Sequence, residues 1–337
     1  MEIKKQECYM KLNEVFQMSR NEIRNEFADY FYEYFNAIFE NPSKDHTEPL
    51  KGYSEYVSNL FFLADAREKS VLDAGCGFGM YSILFRILGA REVVGIDLNE
   101  EKITCFKRLL QRLDMSSEIT AKLEDASKPS FDDERFDVVI SNEVISHVGD
   151  QEEYLREILR ILKPGGRLVL RDNNNALNKK VVDSQSEIWE KSEIGPVEGL
   201  GLDKPYIEMR EDMIRSRFPE STTDQINYLS RETQGMWGEQ IYREAERYLA
   251  TGECRRITGF QYRNPETGEF QEFPFNPYEL GNRLQSIGFT VKTLQPILPM
   301  AYWKNGRDVL LTILKAFNRF LLTHYSDGFE IVAVKQR

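Results

Sequence analysis

The chain has 337 residues, enough for one large domain or two modest ones. Its net charge of −11 argues against a general binder of the nucleic-acid backbone, which needs a basic face. The cysteines, Cys8, Cys76, Cys105 and Cys254, lack C-x-x-C spacing. This pattern speaks against a metal site and predicts a reducing, cytoplasmic setting.

The N-terminal segment is predicted to be helical. Apolar and aromatic residues recur at helical spacing between residues 10 and 40, and Asn41-Pro42-Ser43 ends that segment. A polar stretch from Lys44 to Lys51 follows, and then a helix from Ser54 to Leu63. We expect these helices to cap a site, although hydrophobic packing or a homodimer contact explains their aromatic residues equally well.

The central block alternates strands and helices, and the alternation resumes near the C-terminus. Strands are predicted at Ser70–Asp73, Val93–Asp97, Ile119–Leu123, Phe136–Ser141, Arg167–Arg171, Thr290–Leu294 and Phe329–Lys335. Helices are predicted at Met80–Leu88, Glu100–Leu113, Glu152–Leu162, Tyr278–Ile287 and Val309–Leu322. The alternation predicts an α/β fold with a doubly wound, mostly parallel, seven-stranded sheet. The segment at Val309 is too short to span a membrane, and no membrane span is expected elsewhere.

The alternation stops for about a hundred residues after the fifth strand. Helical signals in this segment lie near Tyr206–Arg217 and Trp237–Leu249, so a mainly helical insertion is predicted. The chain is therefore predicted to have four parts: an N-terminal cap (1–51), the first core part (52–172), the insertion (173–275) and the last core part (276–337). The insertion has 13 Lys and Arg against 19 Asp and Glu, which disfavours nucleic acid as a partner. We expect it to cover the substrate, because so long a segment is usually functional or separately folded.

A glycine-rich loop follows the first strand. The strand ends in Asp73, and Gly75, Gly77 and Gly79 are spaced two apart. Glycines at this spacing let the backbone turn tightly and approach a ligand closely. The second strand ends in Asp97, whose carboxylate is placed to accept hydrogen bonds from two ribose hydroxyls.

The D-x-G-x-G-x-G pattern with a later acid resembles motif I of the class I S-adenosylmethionine (SAM)-dependent methyltransferases. The resemblance implies SAM as the cofactor and covers residues 70–175 well and 277–337 loosely. In that family the loop holds the aminocarboxypropyl part of SAM, which places Asp73, Gly75, Cys76, Gly77 and Gly79 on the cofactor. A purely structural interpretation is the alternative for two acids. Asp97 would then cap the helix that follows it, and Asp125, after the third strand, would belong to a plain turn.

The same resemblance assigns further cofactor contacts. Asp97 stands where the ribose-binding acid stands, and Leu98 stands where an apolar residue packs on adenine. Asp125 and Ala126 follow the third strand, where the family's Asp accepts from the adenine amino group and the next N–H meets the ring. Asn142 lies in Ser141–Val148, which resembles motif IV of small-molecule methyltransferases and is also assigned to the cofactor.

Two residues are candidate general bases, His147 after the fourth strand and Asp172 after the fifth. An imidazole titrates near neutral pH and suits proton transfer, although packing beside the cofactor is the alternative for His147. Arg171, Asn173 and Asn174 are predicted to bind the acceptor, unless the cluster only opens the insertion as an Asx-rich turn.

The function expected is methyl transfer from SAM to a small-molecule acceptor, at a hydroxyl of a sugar or secondary metabolite. N-methylation and carboxyl methylation are the alternatives, and no N-P-P-Y-like tetrapeptide follows the fourth strand to favour amide or base N-methylation. The sequence pattern does not distinguish SAM from a modified SAM as the cofactor. The alternative to an enzyme is a non-catalytic protein that binds SAM, either a regulator or a partner subunit.

Overall fold

The structure is a computed structural model that describes residues 2–16, 18, 20–27, 31, 49–259, 261–297 and 319–337. The chain forms two compact units. The core unit comprises Met1–Asn173 and Asn276–Arg337, and the insertion unit comprises Asn174–Phe275.

The described residues form seven strands and twelve α-helices. The strands are β1 (Ser70–Ala74), β2 (Glu92–Asp97), β3 (Ile119–Leu123), β4 (Phe136–Asn142), β5 (Leu162–Asp172), β6 (Phe289–Ile297) and β7 (Gly328–Lys335). The helices are α1 (Glu2–Phe16), α2 (Arg20–Glu26), α3 (Pro49–Ala64), α4 (Met80–Leu88), α5 (Glu100–Arg112), α6 (Gln151–Ile161), α7 (Lys179–Ile194), α8 (Tyr206–Arg217), α9 (Thr223–Glu232), α10 (Glu239–Thr251), α11 (Pro277–Ile287) and α12 (Arg319–Tyr325). Helices α7 to α10 belong to the insertion unit.

The core unit contains one sheet in the order β3-β2-β1-β4-β5-β7-β6. Strands β1 to β5 run parallel, and β7 is antiparallel to both β5 and β6. This topology confirms the doubly wound, mostly parallel α/β fold. The carboxyl ends of β1, β2, β4 and β5 therefore share one edge, and antiparallel β7 begins there, with Phe329 opposite Asp172. Open α/β sheets bind their ligands at this edge.

The N-terminal helices contribute to the core of this unit. Leu12, Val15 and Ile23 are almost fully buried in the same apolar cluster as α3 and α4. The ring of Phe31 lies 4.9 Å, centroid to centroid, from Phe78 of the glycine-rich loop. The other aromatic residues predicted on this segment, and its predicted end at Asn41–Ser43, lie outside the described residues.

Local capping explains where the core helices begin. The Asn99 side chain accepts the Lys102 N–H and starts α5, and the Asp150 side chain accepts the Glu153 N–H and starts α6. Such caps satisfy N–H groups that lack a partner in the first helical turn. Helix α4 follows Gly79 directly, so its N-terminus faces the carboxyl edge of the sheet.

The insertion unit has its own apolar cluster, formed by Ile214, Ile226, Leu229, Met236, Ile241 and Ala245. The fully buried Arg210 is ion-paired with Glu193, and its Nε donates to the Ser230 carbonyl at 2.6 Å. A buried guanidinium needs such partners because its desolvation is costly. The pair joins α7 to α8, and the second bond joins α8 to α9.

Several predicted boundaries are wrong. Strand β5 begins at Leu162, five residues before the predicted start at Arg167, because Leu162 pairs with Phe136 before a register shift. Helix α1 begins at Glu2, and α3 begins at Pro49, inside the stretch predicted as a polar connection. Helix α10 begins at Glu239, two residues after the predicted Trp237.

Two helices of the insertion unit were not predicted, α7 and α9. Helix α7 is mostly exposed and has few apolar residues, so helical periodicity is weak there. Helix α9 does carry a sequence signal, a capping box in which Thr222 and Gln225 bond reciprocally. Of the predicted helix Val309–Leu322, residues up to 318 lie outside the described part, and the described α12 continues to Tyr325.

Among the helices of the described part of the chain, none has the length and apolar character needed to cross a membrane.

Candidate functional site

The glycine-rich loop connects β1 to α4 by three left-handed glycines. Gly75, Gly77 and Gly79 have φ values of 74°, 53° and 79°. The N–H groups of Gly75 and Cys76 both donate to the Ile96 carbonyl, at 2.8 and 2.9 Å. The loop is therefore fixed to the end of β2 by backbone hydrogen bonds.

Each glycine has a different steric requirement. A Cβ at Gly79 would lie 2.1 Å from the Phe106 ring, and one at Gly75 would lie 2.3 Å from Val144. A Cβ at Gly77 would meet no atom of the described residues within 4 Å. Gly75 and Gly79 thus permit close packing inside the protein, whereas Gly77 lies beside open space at the carboxyl edge, where a ligand can approach the backbone.

Asp97 is joined to the same loop. Its Oδ2 accepts the Gly77 N–H at 2.9 Å, and its Oδ1 accepts the Asn99 N–H at 2.9 Å. A carboxylate has about four acceptor positions, so both oxygens keep capacity for hydroxyl donors. The neighbouring Leu98 is 69% exposed, an apolar side chain available to the face of a planar ligand.

Asp73 is nearly fully buried beneath the loop. The Ser82 hydroxyl donates to its Oδ2 at 2.7 Å. Burial raises the pKa of Asp73 to about 6, although the Ser82 hydrogen bonds oppose the shift. The adjacent Cys76 thiol is also buried, and burial raises its pKa well above the usual range, so this thiol is not a nucleophile.

Asp125 and Ala126 follow β3 in a turn. The Asp125 Oδ1 accepts from both the backbone N–H and the hydroxyl of Ser127, at 2.8 and 2.7 Å. These bonds make an Asx-type turn, which is the structural alternative weighed from the sequence. They engage one carboxylate oxygen, and the predicted contact of Asp125 with adenine remains a prediction.

The end of β4 carries polar groups of unequal exposure. The Oδ1 atom of Asn142 is buried and has no hydrogen-bond partner among the described residues. A buried polar atom without a partner costs free energy, so a ligand that donates to it would be stabilised. His147 is exposed on a 3₁₀ turn, Ile145–His147, and its N–H donates to the Val144 carbonyl at 2.9 Å.

The end of β5 places its side chains on opposite faces of the sheet. Asp172 is fully buried, and its Oδ2 accepts the Ser146 N–H at 3.3 Å, next to His147. Arg171 lies 3.1 Å (Nε to Oε2) from Glu330, its partner across the β5–β7 ladder. Asp172 thus supports the turn that carries His147, while Arg171 is 6% exposed and belongs to a buried ion pair.

Asn173 and Asn174 are neighbours in the sequence but belong to different units. Asn173 is exposed in the core unit, and its N–H donates to Glu143 Oε2 at 3.1 Å. Asn174 is 2% exposed in the insertion unit, where Gln185 donates to its Oδ1 and its Nδ2 donates to Glu272. These contacts favour a structural role for Asn174 over the predicted contact with the acceptor.

Sequence reasoning missed three residues of this edge. The Tyr56 ring lies 4.4 Å from the Arg171 guanidinium, and Tyr56 shares a hydrogen bond with Tyr81 of the first turn of α4. Glu330, on β7, completes the group, and its Oε1 accepts from Gln295. Nothing in local spacing links these three residues to Arg171, because the four residues come from four separate elements, although Glu330 among the apolar residues of β7 was a signal available in the sequence.

The residues present fit SAM. Gly77 leaves room beside the loop, Asp97 offers carboxylate oxygens to a ribose, and Leu98 offers an apolar face to a purine. Within the described part of the chain, no three His, Cys, Asp or Glu side chains cluster in a way that would hold a metal ion.

Comparison with known proteins gives the class. A family model described as a methyltransferase domain matches residues 65–249. That match covers more than half of the chain. The chain therefore belongs to the methyltransferase-domain family, and it is a class I SAM-dependent methyltransferase.

Three curated relatives share parts of the sequence. The 27-O-demethylrifamycin SV methyltransferase of Amycolatopsis mediterranei is 28% identical over 66% of this chain and 75% of its own. The norajmaline N-methyltransferase of Rauvolfia serpentina is 27% identical over 34% of this chain and 39% of its own. A ubiquinone biosynthesis O-methyltransferase of Bradyrhizobium is 36% identical over 31% of this chain and 40% of its own. The chain thus spans well under half the length of the last two.

Proposed function

We propose that this enzyme transfers the SAM methyl group to a hydroxyl oxygen of a small-molecule acceptor. This proposal rests on the set of polar side chains at the ends of β4 and β5, next to the cofactor loop. His147 is exposed among them. The 27-O-demethylrifamycin and ubiquinone-biosynthesis relatives, by name, act on oxygen in small molecules, which supports the same acceptor class here.

Cofactor binding is assigned to the ends of β1, β2, β3 and β4. The loop from Gly75 to Gly79 would hold the aminocarboxypropyl group, with Asp73 beneath it and Asn142 Oδ1 accepting from its ammonium. Asp97 would bind the ribose hydroxyls. Leu98, Asp125 and Ala126 would contact the adenine. Bound SAM supplies an electrophilic methyl group, and the protein's task is to orient the acceptor and take its proton.

His147 is proposed as the general base. Its exposure lets an acceptor hydroxyl come within hydrogen-bond distance, and an imidazole is suited to proton transfer near neutral pH. Asp172 is buried and bonds to the Ser146 N–H, so we assign it to positioning the turn rather than to direct proton transfer. Exposed Asn173 remains the better candidate for contact with the acceptor, and buried Asn174 the weaker one.

N-methylation is the second candidate, because the norajmaline relative is named for transfer to nitrogen. The insertion unit is proposed to select the acceptor, since the chain leaves the core directly after β5, at the carboxyl edge. A cover formed by the N-terminal helices and a homodimer contact remain predictions.

The test begins with calorimetric titration of SAM and S-adenosylhomocysteine into the wild type and the Asp97→Ala variant. Micromolar binding that is lost in the variant supports the cofactor assignment. Labelled-methyl SAM is then incubated with separate probes: catechol, a hydroquinone and a glycoside for hydroxyls, a secondary amine, and benzoate. Product from a hydroxyl probe that His147→Ala lowers at least tenfold supports the proposal. Product from the amine or benzoate alone would overturn the hydroxyl assignment.

A further inference from the structure

Glu143 occupies an unusual position for a glutamate. It follows β4 directly, at the carboxyl edge of the sheet, and its φ is 55°. Non-glycine residues rarely adopt this left-handed conformation, which costs free energy that the surrounding structure must offset. The strained residue is half-buried and next to Asn142, whose Oδ1 has no hydrogen-bond partner in the part of the chain that the structure describes.

Two hydrogen bonds fix the orientation of Glu143. Its N–H donates to the Arg171 carbonyl at 2.9 Å, and its Oε2 accepts the Asn173 N–H at 3.1 Å. Both bonds tie the residue to the end of β5. The carboxylate is therefore held between the carboxyl ends of β4 and β5, next to the residues proposed above for the acceptor, His147 and Asn173.

The neighbours of Glu143 define a polar group of mixed charge. Burial raises the pKa of the Tyr56 phenol, and the carboxylates of Glu143 and Glu330 add to the shift while Arg171 opposes it. Arg171 is 6% exposed, and its Nε makes no hydrogen bond of good geometry even with Glu330 nearby. One cation and two carboxylates give this group a net charge of −1.

We propose that Glu143 is a catalytic residue whose carboxylate faces the transferable methyl group and binds a hydrogen-bond donor of the acceptor. The inference rests on the function proposed above and deepens it. A carboxylate accepts but does not donate, so the acceptor presents an O–H or an N–H at this point. An acceptor carboxylate would be repelled, which separates this enzyme from carboxyl methyltransferases.

The test needs no knowledge of the natural acceptor. Three ligands are titrated calorimetrically: SAM, S-adenosylhomocysteine, and sinefungin, in which a carbon bearing an amine replaces the methylated sulfur. A carboxylate facing the methyl position favours the sulfonium of SAM and the ammonium of sinefungin over the uncharged sulfur of S-adenosylhomocysteine. Glu143→Gln should therefore weaken sinefungin about tenfold, and SAM about threefold, relative to S-adenosylhomocysteine.

The chain provides a matched control. Glu134 is also a glutamate in the left-handed conformation, with φ of 57°, but it precedes β4 and lies at the opposite end of that strand. Glu134→Gln should leave all three affinities and their ratios at wild-type values. Glu143→Gly and Glu134→Gly keep the left-handed backbone without strain, so each should melt at or above the wild-type temperature.

The outcomes are distinct. Lower sinefungin and SAM affinities relative to S-adenosylhomocysteine in Glu143→Gln, repeated in a stable Glu143→Gly, support the inference. The inference would be overturned if the affinities for sinefungin and SAM, each divided by that for S-adenosylhomocysteine, stay within twofold of the wild-type ratios. An equal fall in affinity for all three ligands would give that result. Failure of the wild type to bind SAM or S-adenosylhomocysteine would instead refute the function on which the inference rests.

Discussion

The two halves of the carboxyl edge are built differently. The cofactor half, comprising Asp73, the loop Gly75–Gly79 and Asp97, is fixed mostly by bonds of the loop backbone, as in the Gly77 N–H to Asp97 contact of 2.9 Å. The acceptor half, comprising Glu143, Arg171 and Glu330, is held by side chains. It contains a strained glutamate and a buried ion pair.

This difference has a physical consequence. Backbone-built sites depend on glycine conformation and tolerate change at the side chains around them. Side-chain-built sites depend on each charged group keeping its partner, because an unpaired buried charge is costly. The acceptor half can therefore change without a large loss of stability only where both members of a buried charged pair change together.

The largest effect is expected from breaking the ion pair of the acceptor half. Arg171→Met leaves Glu330 buried at 4% exposure without its cation, and the free energy of unfolding should fall by about 3–5 kcal/mol. Urea unfolding followed by circular dichroism measures this. The double variant Arg171→Met with Glu330→Gln should recover much of the loss. An unchanged midpoint in the single variant would show that the pair is not needed.

A glycine pair probes the cofactor half. Gly79→Ala places a Cβ 2.1 Å from Phe106 at φ of 79°, so unfolding free energy should fall by about 3 kcal/mol. Gly77→Ala has the same backbone conformation but open space, so the loss should be about 1 kcal/mol, while SAM affinity should still fall. Equal destabilisation of the two variants would contradict the distinction between packing glycine and ligand-facing glycine.

The carboxylate of Asp97 is expected to matter more for affinity than for stability. Asp97→Asn removes the charge that strengthens its bonds to ribose hydroxyls, so SAM affinity should fall by about 2 kcal/mol, or about thirtyfold. Asp125→Asn, which keeps the Ser127 turn, should have a smaller effect. Calorimetry on both variants measures the difference. A larger loss in Asp125→Asn would show that the adenine contact proposed for Asp125 contributes more to affinity than the ribose contact proposed for Asp97.

The cofactor half was also the half that sequence could predict. Three glycines and two acids at fixed spacing make a local signal, and the structure places Gly77 and Asp97 in direct contact. Strand β3 and helix α4 were predicted with the observed bounds, because apolar residues alternate along β3 and are concentrated in α4. These features depend on residues that are close together in the sequence or on one regular element.

The acceptor half was predicted only in part, for a physical reason. Arg171 was singled out, but its partner Glu330 lies 159 positions later, on β7, and only the antiparallel β5–β7 register brings them together. Tyr56 joins from α3. The left-handed conformation of Glu143 has no sequence signature, since glutamate does not favour it. Tertiary contacts between distant segments are what local patterns cannot report.

The smallest expected effect concerns the pH dependence of the cofactor half. Burial raises the pKa of Asp73 to about 6, so the folded protein takes up a proton there at a higher pH than the unfolded chain does. The stability contributed by this group should therefore rise as the pH falls through 6, by about 1 kcal/mol between pH 7.5 and 5.

Asp73→Asn keeps an oxygen that accepts the Ser82 hydroxyl and removes the titration. Urea unfolding of wild type and variant at both pH values isolates the difference. If the wild type loses stability relative to Asp73→Asn on acidification, then Asp73 is ionised and held by partners, and the loop is stabilised by charge rather than by the backbone bonds described above.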